Sequence, residues 1–213
     1  MTRVRRQSYT RAEYVSDVAV HLAGLVAVAA AVPMLISLAS ASESSDGRMA
    51  AALVYGACFA AMISCSALYN VFPHPDWEWM LQRLDHAAIY VKIAGTYTAF
   101  VLVAGHGVAL ATGLWVAAVI GITLKLIAPQ RWRWFAIALY LGMGWSAVVL
   151  GWDVFARLPT LVVAMVAGGG LLYTVGVVFH LWDRLPFHNT IWHVFVLAAS
   201  LLMCASVMTA ILA

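Results

Sequence analysis

Residues 190–212 read TIWHVFVLAASLLMCASVMTAIL, a run with no Asp, Glu, Lys or Arg and a single histidine close to its start. At 1.5 Å rise per residue such a run, as a helix, is long enough to cross the roughly 30 Å hydrocarbon core of a bilayer. No water is available there to satisfy backbone N–H and C=O groups, so the run must be helical. Working back along the chain, six more runs have the same character: approximately 18–38, 50–70, 84–104, 108–127, 134–150 and 158–179. Only Gly105-His106-Gly107 separates the third from the fourth, which is a tight turn or, failing that, a kink in one long helix. The fold class expected is all-α, a bundle of seven membrane-spanning helices.

Composition agrees. Of 213 residues, 64% are hydrophobic and 10% charged, with mean hydropathy +0.92. A soluble domain carries about 25% charged residues. A water-soluble enzyme, a disordered chain and a nucleic-acid binder are thereby excluded. Seven spans of about 20 residues use about 140 and leave about 73 for loops and ends, so 1–213 reads as a single membrane domain. Cys58, Cys65 and Cys204 all lie inside apolar runs and are read as small core residues, without a disulfide framework.

The loops carry the punctuation: 40–46, Pro73-His74-Pro75-Asp76, Ala128-Pro129-Gln130, Trp152-Asp153 and 182–188. Tryptophans 77, 79, 132, 134, 152, 182 and 192 fall near span ends, as interfacial anchors do. With the N-terminus in the cytoplasm, the inner side holds Arg3, Arg5, Arg6, Arg11, Arg83, Lys125, Arg131, Arg133 and Arg184, and the outer side Arg48 and Arg157. Nine against two fixes the expected orientation as N-terminus cytoplasmic and C-terminus outside. A leader cleaved near Ala39, Ser40 and Ala41 is the competing reading of the first run. The spanning length of that run, and Glu13 and Asp17 ahead of it, favour a retained span.

Ionisable groups in spans are expensive and are therefore functional candidates. Most of them gather at one depth. Glu13, Asp17 and His21 follow at four-residue intervals on one helical face. Ser66 and Asn70 end the second span, Asp85 and His86 begin the third, and His188, Asn189 and His193 begin the last. His74, His106 and His180 receive no role. Lys92 stands seven residues after Asp85, about 10.5 Å along the axis on nearly the same face, and is expected to lean toward it. Asp85, Ile89, Lys92 and Thr96 then form a stripe facing the bundle interior.

The segments SALYN (66–70), RLDHAAIY (83–90), IAGTYT (93–98), GGLLYTVG (169–176) and IWHVFVL (191–197) resemble the hemolysin III family. That family is the bacterial branch related to progestin and adipoQ receptors, within a wider group of membrane hydrolases that includes alkaline ceramidases. The resemblance runs from Glu13 to the last span. It implies seven spans, a bacterial inner-membrane location, and a cytoplasm-side zinc held by three histidines. One comes from an S-x-x-x-H motif ending span two, and two from an H-x-x-x-H motif starting span seven. A serine and an aspartate beside them correspond to Ser66 and Asp85, and in the hydrolase reading zinc activates a water for attack on a lipid amide or ester.

Here the span-two ligand position is Asn70 and the first span-seven position is Asn189, so His193 is the one remaining family ligand. A further family histidine deeper in span seven is Met203. Amides are poor zinc ligands beside imidazole. His188 would project about 100° away from Asn189 and is not expected to replace it, and His74 is a more distant substitute. Where relatives have an apolar residue, this chain has Lys92. Its ammonium is expected to take over part of the electrostatic role of zinc, pairing with Asp85 and with the side-chain carbonyls of Asn70 and Asn189. The primary functional expectation is a lipid-related sensor or regulator holding a lipid or acyl ligand. A hydrolase of a lipid amide or ester comes second, and a pore or transporter connected with cytolysis third.

Overall fold

Thr10 accepts from the Glu13 backbone N–H while the Glu13 carboxylate accepts from the Thr10 N–H, a capping box that starts the first helix. From there α1 (Arg11–Ser40) runs unbroken through Pro33. The computed structural model describes residues 10–42, 45–72, 75–127 and 131–213. Arg3, Arg5, Arg6, Pro73, His74, Ala128, Pro129 and Gln130, on which expectations fell, lie outside them.

Among the described residues the chain continues as α2 (Ser45–Val71), α3 (Glu78–Ala104), α4 (Val108–Ile127), α5 (Arg133–Val149), α6 (Trp152–Phe155), α7 (Thr160–Leu181) and α8 (His188–Leu212). All regular elements described are helical. The open choice at 105–107 resolves as a turn. Gly105 and Gly107 adopt φ of +62° and +99°, where a Cβ is strained. A Cβ on Gly107 would also meet Val154 at 2.3 Å.

Among the described residues, six helices are long and apolar enough to cross a membrane: α1, α2 from Gly47, α3, α4, α7 and α8. α5, expected as a seventh span, has 17 residues, about 26 Å of helix against a core of about 30 Å. The chain is a multi-pass membrane protein whose surroundings are a lipid bilayer. Exposed Val26, Val116, Val119 and Val178 are the side chains that a lipid-facing surface leaves uncovered.

α3 is the central helix. It packs on α2, α4, α5 and α8, and its residues from Ala87 to Val101 are largely buried. α1 packs on α2 and α8, and α7 on α8. The segment Trp152-Asp153, expected as loop, opens the short α6, whose Phe155 packs on the rings of Tyr97 and Phe100. With Leu35, Val207 and Ile211, these rings fill the end of the bundle opposite the N-terminus of α1. Polar side chains concentrate at the other end.

Candidate functional site

Three side chains at that polar end converge. Asp17 and His21, one turn apart on α1, and His193 of α8 are 4%, 5% and 8% exposed. Their potential ligand atoms all lie within 4.8 Å of one another. Sequence places Asp17 and His193 176 residues apart; the contact between α1 and α8 closes that distance.

The hydrogen bonds determine which nitrogens are free. His21 Nδ1 is 2.7 Å from the backbone oxygen of Asp17. A carbonyl only accepts, so Nδ1 carries the proton and Nε2 presents its lone pair. The Ser66 hydroxyl lies 3.2 Å from it. His193 Nδ1 is 2.6 Å from Asp17 Oδ1 and donates to the carboxylate, which leaves its Nε2 open as well. The two rings meet edge to face with centroids 4.5 Å apart. One residue thus orients both imidazoles, through its backbone oxygen and through its carboxylate.

Such a set fits a divalent metal. Two imidazoles and a carboxylate are ordinary zinc ligands, and an oxygen partner on the second ring nitrogen is what metal-binding histidines usually have. His21 and His193 would hold the ion through Nε2, with Asp17 orienting both rings from behind. This differs from the expected location: the zinc positions of the resemblance are Asn70, Asn189 and His193, and only the last belongs to the cluster. Span one supplies the second imidazole and the aspartate behind it. The i, i+4 spacing of Asp17 and His21 at the depth of His193 was the available signal.

His21 and His193, with Ser66, Asn70, Asp85 and Asn189, line a cavity of about 440 Å³. Asp17 lies behind the imidazoles, off its wall. Ser66 faces the Asp85 side chain, and His193 is within electrostatic reach of that carboxyl group. The Asn70 amide donates back along its own helix, to the Ser66 backbone oxygen at 2.9 Å and to the hydroxyl at 3.4 Å. Glu13 does not join the site. Its other carboxylate oxygen accepts from the backbone N–H of Phe187 at 3.0 Å, tying the start of α1 to the left-handed residue before α8. His188 follows that residue, is buried, and lines the same cavity as Asn189 despite their angular offset.

Lys92 corrects the sequence reading. It is interior, 3% exposed, and shares the cavity wall with Asp85, Ile89 and Thr96. Its ammonium nevertheless forms no ion pair with Asp85 and no hydrogen bond to Asn70 or Asn189 among the described residues. It donates to Thr96 Oγ1 at 3.0 Å and lies 3.8 Å from the centre of the Tyr55 ring, with Phe59 at 5.3 Å. Two turns separate it from Asp85, whereas Thr96 is one turn away and the ring faces attract the cation directly. It stands apart from the Asp17–His21–His193 cluster and does not take the place of a metal.

Comparison with known proteins agrees with the motifs. Residues 10–204 match the family model described as Haemolysin-III related. The chain belongs to the haemolysin-III family. It is 34% identical to Hemolysin-3 of Bacillus cereus over 194 residues, 90% of this chain and 88% of the relative. It is 32% identical to the Hemolysin-3 homolog of Bacillus subtilis (strain 168), covering 90% and 91%. A more distant likeness, 27% over 184 residues, is to the human Monocyte to macrophage differentiation factor, covering 79% of this chain and 74% of the relative.

Proposed function

We propose that this haemolysin-III protein is a membrane-embedded, metal-assisted hydrolase of a lipid amide or ester. The observation that carries the reading is the buried Asp17–His21–His193 cluster, two of whose members face a cavity shared with Asp85 and Ser66. It reverses the order expected from sequence, where the loss of histidines at 70 and 189 favoured a sensor without catalysis. A divalent metal held by these imidazoles would supply Lewis acidity and lower the pKa of a water. Asp17 fixes both rings. Asp85, facing Ser66 and the cavity, holds or accepts a proton at its carboxylate during water attack and returns it to the leaving amine or alcohol. The apolar remainder of the cavity, with Ile89, Ile137, Leu141, Val177 and Val196, accepts an acyl chain and limits access of bulk water.

In this reading the N-terminus is cytoplasmic, the C-terminus lies outside, α5 is a short seventh span, and the membrane is the bacterial inner membrane. The arginine and lysine distribution supports that orientation. The filled far end around Leu35, Phe100 and Phe155 favours a closed cavity over a pore.

The sensor reading retains one specific support: amides, Asn70 and Asn189, stand where the resemblance implies metal-holding histidines. Hydrolysis separates the two. Detergent-purified protein is mixed with a fluorogenic lipid amide or ester in micelles. Turnover that chelator abolishes, added zinc restores and Asp85→Asn lowers about 100-fold is expected. Metal-loaded protein that binds these lipids without cleaving them establishes the sensor.

A further inference from the structure

A second wall of the cavity is built from nitrogen. His86 of α3, Lys125 near the end of α4, Arg133 at the start of α5 and His180 near the end of α7 all line it. Four helices bring them together, and His86 is within electrostatic reach of the other three. Asp183 shares this wall, but its carboxylate stands 3.8 Å from Arg133 with both side chains about half exposed, an open pair. Two basic groups therefore face one carboxylate.

The imidazoles sharpen the picture. His86 Nδ1 and His180 Nδ1 are buried and have no hydrogen-bond partner among the described residues. Buried ring nitrogens are ordinarily paired, so two orphans on one wall indicate a missing partner. Neither belongs to the Asp17–His21–His193 cluster.

We propose that these four residues form an oxyanion-binding subsite for a phosphate group, that of an anionic phospholipid. The chemistry matches: Arg133 offers a planar fork, Lys125 a point charge, and each imidazole an N–H once an acceptor is present. A phosphate presents enough oxygens to take all four. The depth matches as well, because Trp132 and Trp134 flank Arg133 where headgroups lie. The same cavity is also lined by apolar Ile89, Ile137 and Val177, so a lipid chain and its phosphate both find partners in one volume. Haemolysin-III membership does not enter this inference, nor does the proposed metal.

The test uses the full chain in detergent, followed by native mass spectrometry after incubation with dioleoylphosphatidic acid or dioleoylphosphatidylcholine. At least tenfold greater retention of phosphatidic acid is expected, falling by at least tenfold in Lys125→Gln/Arg133→Gln. Arg131→Gln, which alters an exposed arginine off the cavity, should change nothing, and retention should be the same with and without chelator, which separates this site from the metal cluster. Thermal stabilisation of the parent by inorganic phosphate as strong as by the lipid, and lost in the double variant, supports the same subsite with free phosphate as its occupant. Equal retention of both lipids overturns the proposal, and so does phosphatidic acid retention equally sensitive to Arg131→Gln. If the double variant fails to fold, His86→Gln/His180→Gln with the same readout decides.

Discussion

Two places in the bundle bury a charge, and they do so differently. On α1 and α8, Asp17 is surrounded by imidazoles whose protons point at its oxygens, which leaves the far nitrogens open. On α3, Lys92 has a hydroxyl and two aromatic faces, and among the described residues it makes no ion pair. The first arrangement is satisfied toward the protein and unsatisfied toward the cavity, as a ligand site must be. The second is self-contained. Burial alone therefore does not distinguish a functional group from a structural one; the direction of the spare lone pairs does.

Breaking the first region should have the largest effect. Asp17→Ala removes the carboxylate that orients buried His193, while the backbone oxygen still holds His21, and a loss of about 3 kcal/mol is expected, read by reversible unfolding in mixed micelles. Asp17→Asn, which keeps an acceptor oxygen, should lose much less. If the two variants are equally stable, Asp17 does not organise the site.

The second region responds to packing before charge. A Cβ on Gly95, between Lys92 and Thr96, would come within 2.3 Å of Cys58 Sγ and 2.8 Å of its Cβ. Gly95→Ala should therefore cost about 1–3 kcal/mol by forcing α2 and α3 apart. Thr96→Val removes the acceptor of the ammonium and should cost about 1 kcal/mol. Lys92→Met exchanges a caged cation for a similar apolar volume and should change stability by less than about 1 kcal/mol. A loss of several kcal/mol in Lys92→Met would restore an ionic role for this lysine.

Much of this was legible in the sequence. Apolar runs located the long helices because spanning length is a physical requirement, and the glycines at 105 and 107 marked the turn. The common depth of the polar residues was visible too, since each polar position lies near the end of a run. What could not be read was partner choice. Asp17 and His193 meet through the packing of the first helix on the last, and a periodic pattern on one helix carries no information about its neighbour. Lys92 illustrates the same limit: the helix geometry pointed it along α3 to Asp85, while rings contributed by α2 drew it elsewhere. His180 was passed over because it sits at a span end, where a histidine ordinarily meets water.

Metal content decides the central point. The purified parent, measured by inductively coupled plasma mass spectrometry after dialysis, is expected to carry about one divalent ion per chain, held by the His21 and His193 imidazoles. His21→Ala and His193→Ala should each remove it, and Asn70→His should not be needed to acquire it. A parent free of metal that gains zinc only as Asn70→His/Asn189→His would contradict the assignment and place the site where the resemblance implied it. Metal retained in His21→Ala would contradict it equally.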